Sequence, residues 1–484
     1  MNKFYITTAI PYVNAKPHVG HALEFVQADT IKRYRKSLGD GVLLLSGADE
    51  NAIKNVQAAE KAGQDVQTFI DIHSKEFEDL AKKLDIEFDI FQRGSDAKHH
   101  LASQKLWELC NKTGDIYKKE YKGLYCVGCE IFYEKSELDE SGHCFEHPGK
   151  PLEEVSEENY FFKLSKYEKQ IRNLIEKDEI KIYPEHRKNE VLGFLKTGLK
   201  DISISRSNKR TKNWGVEVPG DKSQRMYVWF DALNIYQSGV GFNSNETEYE
   251  KWWPADLHVI GKGIIRFHAV YWPAFLLSAK LKLPKALFVH GYFTVEGQKM
   301  SKTLGNVADP IELIEKYGTD SLRFYFLKEM SPFSDGDFSI KRLIEIYNSD
   351  LANGLGNLVS RVAKLCETSG YKQLSSVKSV HLIDIADDYK KAMDDYKFNE
   401  ALGLIWNKIT KLDKYINEEK PWELLKISSN HKGRELPLIL AHAVDQIAEI
   451  AILLEPFLPS TAGEIKKQFA KSEIKAEKLL FPRI

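Results

Sequence analysis

The first fifty residues constrain the fold most. Residues 4–10 are a short apolar run and 11–17 a turn rich in breakers, followed by a helical stretch over 20–38 that Gly39 closes. Residues 42–46 then form an uninterrupted apolar run between Gly41 and Gly47. Strand, helix and fully apolar strand in that order make a βαβ unit, so the sheet is parallel and its ligands bind outside the carboxyl ends of the strands. The turn with His18 and His21 lies at such an end, as does Asp49. The two histidines stand three apart on the first helical turn, with Gly20 between them. Unpaired backbone N–H groups and the positive helix end already favour an anion there, so the pattern predicts a phosphate site. No GxGxxG follows the first strand and no GxxxxGK[ST] occurs, which argues against a dehydrogenase or a P-loop enzyme.

At 484 residues the chain exceeds one core and suggests roughly three domains. Lys plus Arg number 69 and Asp plus Glu 70, so the net charge of −1 gives no global pull toward nucleic acid. A hydrophobic fraction of 43% and a charged fraction of 29% are globular values. Met1 to Tyr5 runs directly into the first strand, and no stretch of about 18 uninterrupted apolar residues occurs. The expectation is a cytoplasmic protein without membrane contact. Five cysteines occur, three of them within residues 126–144, which points to metal rather than a disulfide framework.

Residues 116–133 are aromatic-rich and read as short strands around a knuckle. Cys126-Val127-Gly128-Cys129 and Cys144-Phe145-Glu146-His147 offer two close pairs of soft ligands separated by a loop. A tetrahedral zinc ion needs that layout, so Cys126, Cys129, Cys144 and His147 are expected to form a closed structural site, with His143 as the alternative to His147. Residues 153–222 read as mostly polar and helical. Apolar, aromatic composition then returns at 226–232, 258–268 and 286–290, as if the sheet resumed after an inserted domain. Lys299 and Lys302 follow on a loop, where mobile ammonium groups suit a polyphosphate. From residue 311 the chain is helical. Asn357 and Arg361 share a helix face, Pro421-Trp422 opens another helix, and 447–458 is apolar enough for the centre of a bundle.

Together these motifs resemble one family. His18-Val19-Gly20-His21 with Lys299-Met300-Ser301-Lys302 resembles the class I aminoacyl-tRNA synthetases. Residues 9–14 (AIPYVN), 227–232 (YVWFDA), 258–262 (HVIGK), 266–268 (RFH) and 357–361 (NLVSR) resemble the methionyl-tRNA synthetase family within them. The resemblance implies an α/β fold: a Rossmann-like parallel sheet, an inserted zinc-knuckle domain and a C-terminal α-helical bundle. The corresponding boundaries are catalytic halves at 1–115 and 225–294, an insert at 116–224, a linking region at 295–348 and a helical anticodon-binding domain at 349–484. It implies ATP-dependent activation of methionine and its transfer to tRNA(Met), with magnesium accompanying ATP.

By resemblance, His18, His21, Lys299 and Lys302 are catalytic, and His18, Gly20, His21, Gly261 and Lys302 hold ATP. Ile10, Tyr12, Asp49, Trp229, Ala232, Leu233, Tyr236, Ile264 and His268 would form the methionine pocket, with Asp49 receiving the α-ammonium. Asn357, Arg361 and Trp422 would read the anticodon. Three positions depart from the family pattern: Asn51-Ala52 replaces His-Gly, Gly263 replaces an aspartate near the ATP ribose, and Thr303 replaces a serine. The competing readings are a synthetase for leucine, isoleucine, valine or cysteine, and a non-catalytic tRNA-binding paralogue. The insert is too short to carry an editing domain beside the knuckle. With no module following the helical domain, a monomer is expected.

Overall fold

Six parallel strands form the central sheet: β1 (Lys3–Thr7), β2 (Gly41–Ala48), β3 (Ile90–Arg93), β4 (Lys181–Tyr183), β5 (Leu257–Gly261) and β6 (Ala286–His290). Their order is β3-β2-β1-β5-β6-β4, in a computed structural model that describes residues 2–126, 131–133, 138–144, 149–295, 297, 308–373, 387–426 and 435–484. Every pair is parallel, with Thr7 level with Leu45 and His258, and Gly261 level with His290. All six carboxyl ends therefore open on one edge. The stretch 116–224 lends β4 to this sheet, so the sheet is assembled from three separated parts of the sequence.

The apolar run of β2 divides by strand periodicity. Val42 and Leu44 pack with the first helix, Val19–Ser37, while Leu43 and Leu45 face Trp107, Phe230 and Trp272 on the other side. Gly47 is required because a Cβ there would lie 2.2 Å from the Gln92 carbonyl oxygen of the neighbouring strand. The first helix is more buried than its basic residues suggest. Of Lys32, Arg33, Arg35 and Lys36, only Lys36 is exposed. Lys32 is buried and pairs with Asp89 at 2.8 Å, because the C-terminal helices and the 85–89 loop cover that side.

The inserted stretch also departs from expectation. Glu153–Phe162 is a strand, not a helix, and pairs antiparallel with Ile116–Cys126 over the full register from Ile116↔Phe162 to Tyr125↔Glu153. Ile131–Tyr133 and Ile202–Ser203 complete a four-stranded sheet. Much of this arm is solvated, so its sequence is polar, and strand pairing rather than an apolar period decides its conformation.

Helices Asn357–Ser369, Phe398–Glu419, Glu435–Leu454 and Pro459–Phe469 form the C-terminal bundle, whose core is continuous with the first-helix face of the sheet. Glu435–Leu454 is long and apolar enough to cross a membrane, but half of its apolar window is buried and it packs on both Phe398–Glu419 and Pro459–Phe469. It is the bundle's core helix.

Arg323 joins bundle to sheet. Fully buried, it pairs with Asp29 of the first helix at 2.8 Å and donates to the carbonyls of Leu84, Pro456 and Phe457 at 3.1, 3.1 and 2.8 Å. Removing one partner of a buried, hydrogen-bonded ion pair strands the other charge. Arg323→Leu is therefore expected to cost about 3–5 kcal/mol of unfolding free energy in a denaturant titration.

Candidate active site

The first helix begins with two reciprocal caps. His18, in extended conformation at the N-cap, accepts the Gly20 N–H on its Nδ1 at 3.0 Å, and the His18 N–H donates to His21 Nδ1 at 3.2 Å. The rings stack 3.9 Å apart, and Phe77 meets His21 edge-on. A ring nitrogen that accepts carries no proton, so each imidazole holds its proton on Nε2. Burial, then His18 and His290, push His21 well below the ordinary histidine range, so it is a neutral donor. His18 and His21, which the sequence places on the first helical turn, thus present two imidazole N–H donors at the carboxyl end of β1.

Around it lie residues that the sequence reading missed. Glu24, buried on the first helix, accepts the Ala9 N–H at 2.8 Å and pairs with His290, at the end of β6, at 2.9 Å. No local signal marks Glu24, since Gln27, Asp29, Thr30 and Lys32 of the same helix are buried polar residues as well.

Asp49 follows β2 and is 3% exposed. Its N–H donates to Pro11 at 2.9 Å, its carbonyl accepts from Asn55 at 2.8 Å, and it bridges to Tyr12 in parallel register. The next residue, Glu50, is buried and accepts from the Arg93 side chain at 2.7 Å and the Ser95 N–H at 2.9 Å. Asn51, one of the departures, donates to the Gly94 carbonyl at 2.8 Å and to Asp231 at 2.6 Å. Asp231 also accepts from Ser103 at 2.7 Å and pairs with His99 at 2.9 Å. Burial alone would raise the Asp231 carboxyl, but His99 holds it below the usual range. Asn51 thereby ties the loop with Asp49 to the helix Val228–Ala232 with Trp229.

An aromatic cluster lies beside Asp49. Trp229 stacks face to face on Phe267 at 3.7 Å and meets Tyr12 edge-on at 6.4 Å. Phe267 was not anticipated, since only the folded chain brings it flat against Trp229. The Tyr236 hydroxyl lies 2.8 Å from His268 Nε2, and His268 Nδ1 lies 3.0 Å from the Ile264 carbonyl. The carbonyl can only accept, so His268 is protonated at Nδ1 and the tyrosine donates to Nε2. Burial lowers His268 to about 4 and raises Tyr236 well above the phenol range, with Glu24 and Asp49 adding to the latter. Ala232 and Leu233 are buried, while Ile10 and Ile264 pack against the same core half-buried. The structure thus brings Ile10, Tyr12, Asp49, Trp229, Ala232, Leu233, Tyr236, Ile264 and His268 to one region at the sheet's ligand edge.

In the inserted arm, the Cys126 and Cys144 sulfurs converge at 3.2 Å and both residues are buried. Two buried thiols brought together suit one soft cation. Cys129 and His147 lie outside the described residues, and among the described residues no group of three metal-binding side chains converges. His143, the alternative ligand, is described and instead faces Asp139 at 3.9 Å. Lys299, Lys302 and Thr303 also lie outside the described residues. In the bundle, Asn357 is exposed, and Arg361 pairs with Asp413 at 3.1 Å and donates to Asn417 at 3.1 Å. Asn417 lies near the end of the helix that leads into Pro421–Leu424, where Trp422 is half-buried.

The sequence profile described as tRNA synthetases class I (M) matches residues 4–363. The chain is 40% identical to the methionine–tRNA ligase of Thermotoga maritima over 97% of this chain and 76% of that one. It is 39% identical to the Brucella suis methionine–tRNA ligase over 99% of this chain and 98% of the other. Among solved structures, Mycobacterium tuberculosis methionyl-tRNA synthetase in complex with methionyl-adenylate superposes with a TM-score of 0.92 at 35% identity, covering 100% of both chains. The apo form of that protein gives a TM-score of 0.83 at 33% identity.

His21, His100, His258 and His268 are all held below the ordinary value, chiefly by burial. The unfolded chain regains their protons below pH of about 6.5, while folded His268 stays neutral down to about 4. More protons bound to the unfolded state mean stability falls as pH falls through this window. Denaturant midpoints should therefore drop between pH 7 and 5, and His268→Gln should flatten the dependence by up to about 1.4 kcal/mol per pH unit.

Proposed function

The chain belongs to the methionine–tRNA ligases, within the class I tRNA synthetases, and we infer that it activates L-methionine with ATP to methionyl-adenylate and transfers the methionyl group to tRNA(Met). The observation that carries the chemistry is the pair of histidine caps: two Nε2–H donors at a helix N-terminus, on the same sheet edge as a buried aromatic cluster that adjoins Asp49.

In the first step a carboxylate oxygen of methionine bonds to the α-phosphorus, and the bond from that phosphorus to the departing pyrophosphate breaks. Negative charge moves onto phosphate oxygens, where preorganised N–H donors act most strongly. His18 and His21 serve there as neutral donors, with Gly20 and Gly261 admitting ATP and Lys299 and Lys302 meeting the pyrophosphate. Asp49 receives the methionine ammonium. Trp229, Tyr12, Ile10, Ala232, Leu233 and Ile264 enclose the side chain, and Tyr236 with His268 closes its end. Sulfur against aromatic rings contributes about 0.3–1.5 kcal/mol per contact. In the second step a terminal tRNA hydroxyl attacks the carbonyl carbon and AMP leaves. Magnesium travels with ATP.

Zinc held by Cys126, Cys129, Cys144 and His147 would stabilise the arm, which has little core of its own. Its support is the convergence of the Cys126 and Cys144 sulfurs, together with the turn of His143 toward Asp139. The segments 1–115 and 225–294 are assigned to catalysis, 116–224 to the arm, 295–348 to the link and 349–484 to the anticodon, with the cytoplasm as the place of work.

Methionine-dependent exchange of pyrophosphate into ATP, assayed with each standard amino acid, tests this function. Methionine alone should support exchange, and His21→Ala should slow it by about 10²–10³-fold with methionine affinity nearly unchanged. An unaltered His21→Ala rate would remove the catalytic role of the caps.

Asn357, Arg361 and Trp422 are assigned to the anticodon on their common end of the bundle. Single-stranded bases are read by stacking and by their exposed edges, and stacking contributes about 1–3 kcal/mol per base. Trp422→Ala should lower tRNA charging efficiency by roughly 10–100-fold while methionine-dependent exchange stays near wild type. Parallel loss of exchange or of thermal stability would mark Trp422 as a packing residue.

A further inference from the structure

The inserted stretch returns to the sheet through a turn that grips the loop after β2. The short helix Asn208–Thr211 ends in two residues at positive φ, Lys212 and Asn213, and the Trp214 N–H closes back on the Thr211 carbonyl at 3.0 Å. Gly215 follows at a φ of 100°, a conformation that a side chain would strain. This turn sets three groups against residues 50–60. Lys212 pairs with Glu60, the Trp214 indole N–H donates to the Glu50 carbonyl at 2.7 Å, and a Cβ on Gly215 would lie 3.4 Å from the Asn51 carbonyl oxygen. Trp214 is half-buried and packs on the first-helix face of the sheet.

The other bonds that hold residues 49–51 come from the two catalytic segments. Asp49 is held by Pro11 and Asn55, the Glu50 carboxylate accepts from Ser74 at 2.5 Å as well as from Arg93 and Ser95, and Asn51 reaches Gly94 and Asp231. Among these bonds the indole's alone crosses from the stretch 116–224. Its acceptor is well placed to matter. A donor on the Glu50 carbonyl fixes the plane of the peptide that follows Glu50, and with it the direction in which the chain leaves Asp49.

We propose that Trp214 is a positioning residue for the ammonium of methionine: its indole N–H, reaching over from the inserted stretch, steadies the loop that presents the Asp49 carboxylate. The proposal rests on the assignment of Asp49 to that ammonium made above. A carboxylate that meets an ammonium through charge-assisted hydrogen bonds depends on the residues behind it to hold its place. ATP is assigned to other groups, the histidine caps on the first helix, so the two substrates should respond differently to loss of the indole bond.

The test is methionine-dependent pyrophosphate exchange by the full chain, with methionine and ATP each varied. The analogue of methionine with hydrogen in place of its ammonium serves as a competitive inhibitor. Trp214→Phe keeps an aromatic ring on the core and removes only the donor. It should raise the KM for methionine by about 2- to 12-fold, the worth of one neutral hydrogen bond, with kcat, the KM for ATP and inhibition by the deaminated analogue unchanged. Gly215→Ala, which strains the same turn without touching the indole, should shift the methionine KM in the same sense. Asp49→Asn should raise that KM further, and in its background Trp214→Phe should cost less than in wild type, because both act on one contact. A normal methionine KM in Trp214→Phe beside a large rise in Asp49→Asn overturns the proposal and leaves the assignment of Asp49 standing. Equal weakening of methionine, ATP and the deaminated analogue also overturns it, marking Trp214 as a packing residue. A normal methionine KM in Asp49→Asn overturns both.

Discussion

The ligand edge depends on how the first helix begins. A helix N-terminus leaves backbone N–H groups unpaired, and this chain meets two of them with imidazole nitrogens rather than with the usual short oxygen side chains. A serine or aspartate cap would end the matter locally, whereas each histidine that accepts on Nδ1 must present a proton on Nε2. The caps thus fix two donor tautomers through the backbone itself. Stacking on each other and on Phe77 fixes the ring planes. Little reorganisation is left for the moment at which charge develops on an anion, which is the condition under which electrostatic stabilisation is most effective.

The remainder of the edge is held by side chains that cross between strands. Asp231 gathers Asn51 from the loop after β2, with His99 and Ser103 from the helix Ala97–Lys112. Glu24 gathers the loop after β1 and the end of β6. Both carboxylates are buried and multiply bonded, the one circumstance in which burying a charge is sustainable. Asn51 joins two of these parts: its amide donates both to Asp231 and to the Gly94 carbonyl.

What the sequence revealed followed the strength of its local signal. β2 was legible because a strand buried on both faces carries consecutive apolar residues, here Val42 to Leu45, and the histidine pair because its spacing matches a helical turn. The strand Glu153–Phe162 was not legible, since its polar face is solvated and its partner lies some forty residues away in sequence. The burial of Lys32 was not legible for a related reason: it is imposed by a loop around Asp89 and not by anything near it in sequence. Phe267 and Glu24 belong to the site only because the fold carries them there. The parts that were missed are those in which tertiary contact overrules local pattern.

The direction of the buried hydrogen bonds bears on selectivity. Tyr236 donates to His268, whose other nitrogen donates to the Ile264 carbonyl, so the chain of donors begins at the tyrosine and ends on backbone. Every donor in this run is committed, and burial keeps both rings uncharged. A side chain enclosed there meets aromatic surface and a phenolic oxygen that can only accept. A thioether is stabilised by the rings, while a glutamate would bring a further carboxylate into a low-dielectric site that already feels Glu24 and Asp49, at a cost far above that of a missing methylene. In the proposed methionine pocket, selection against acidic side chains would follow from the neutrality of His268, which its burial imposes beside Trp229 on the helix whose Asp231 is anchored to Asn51.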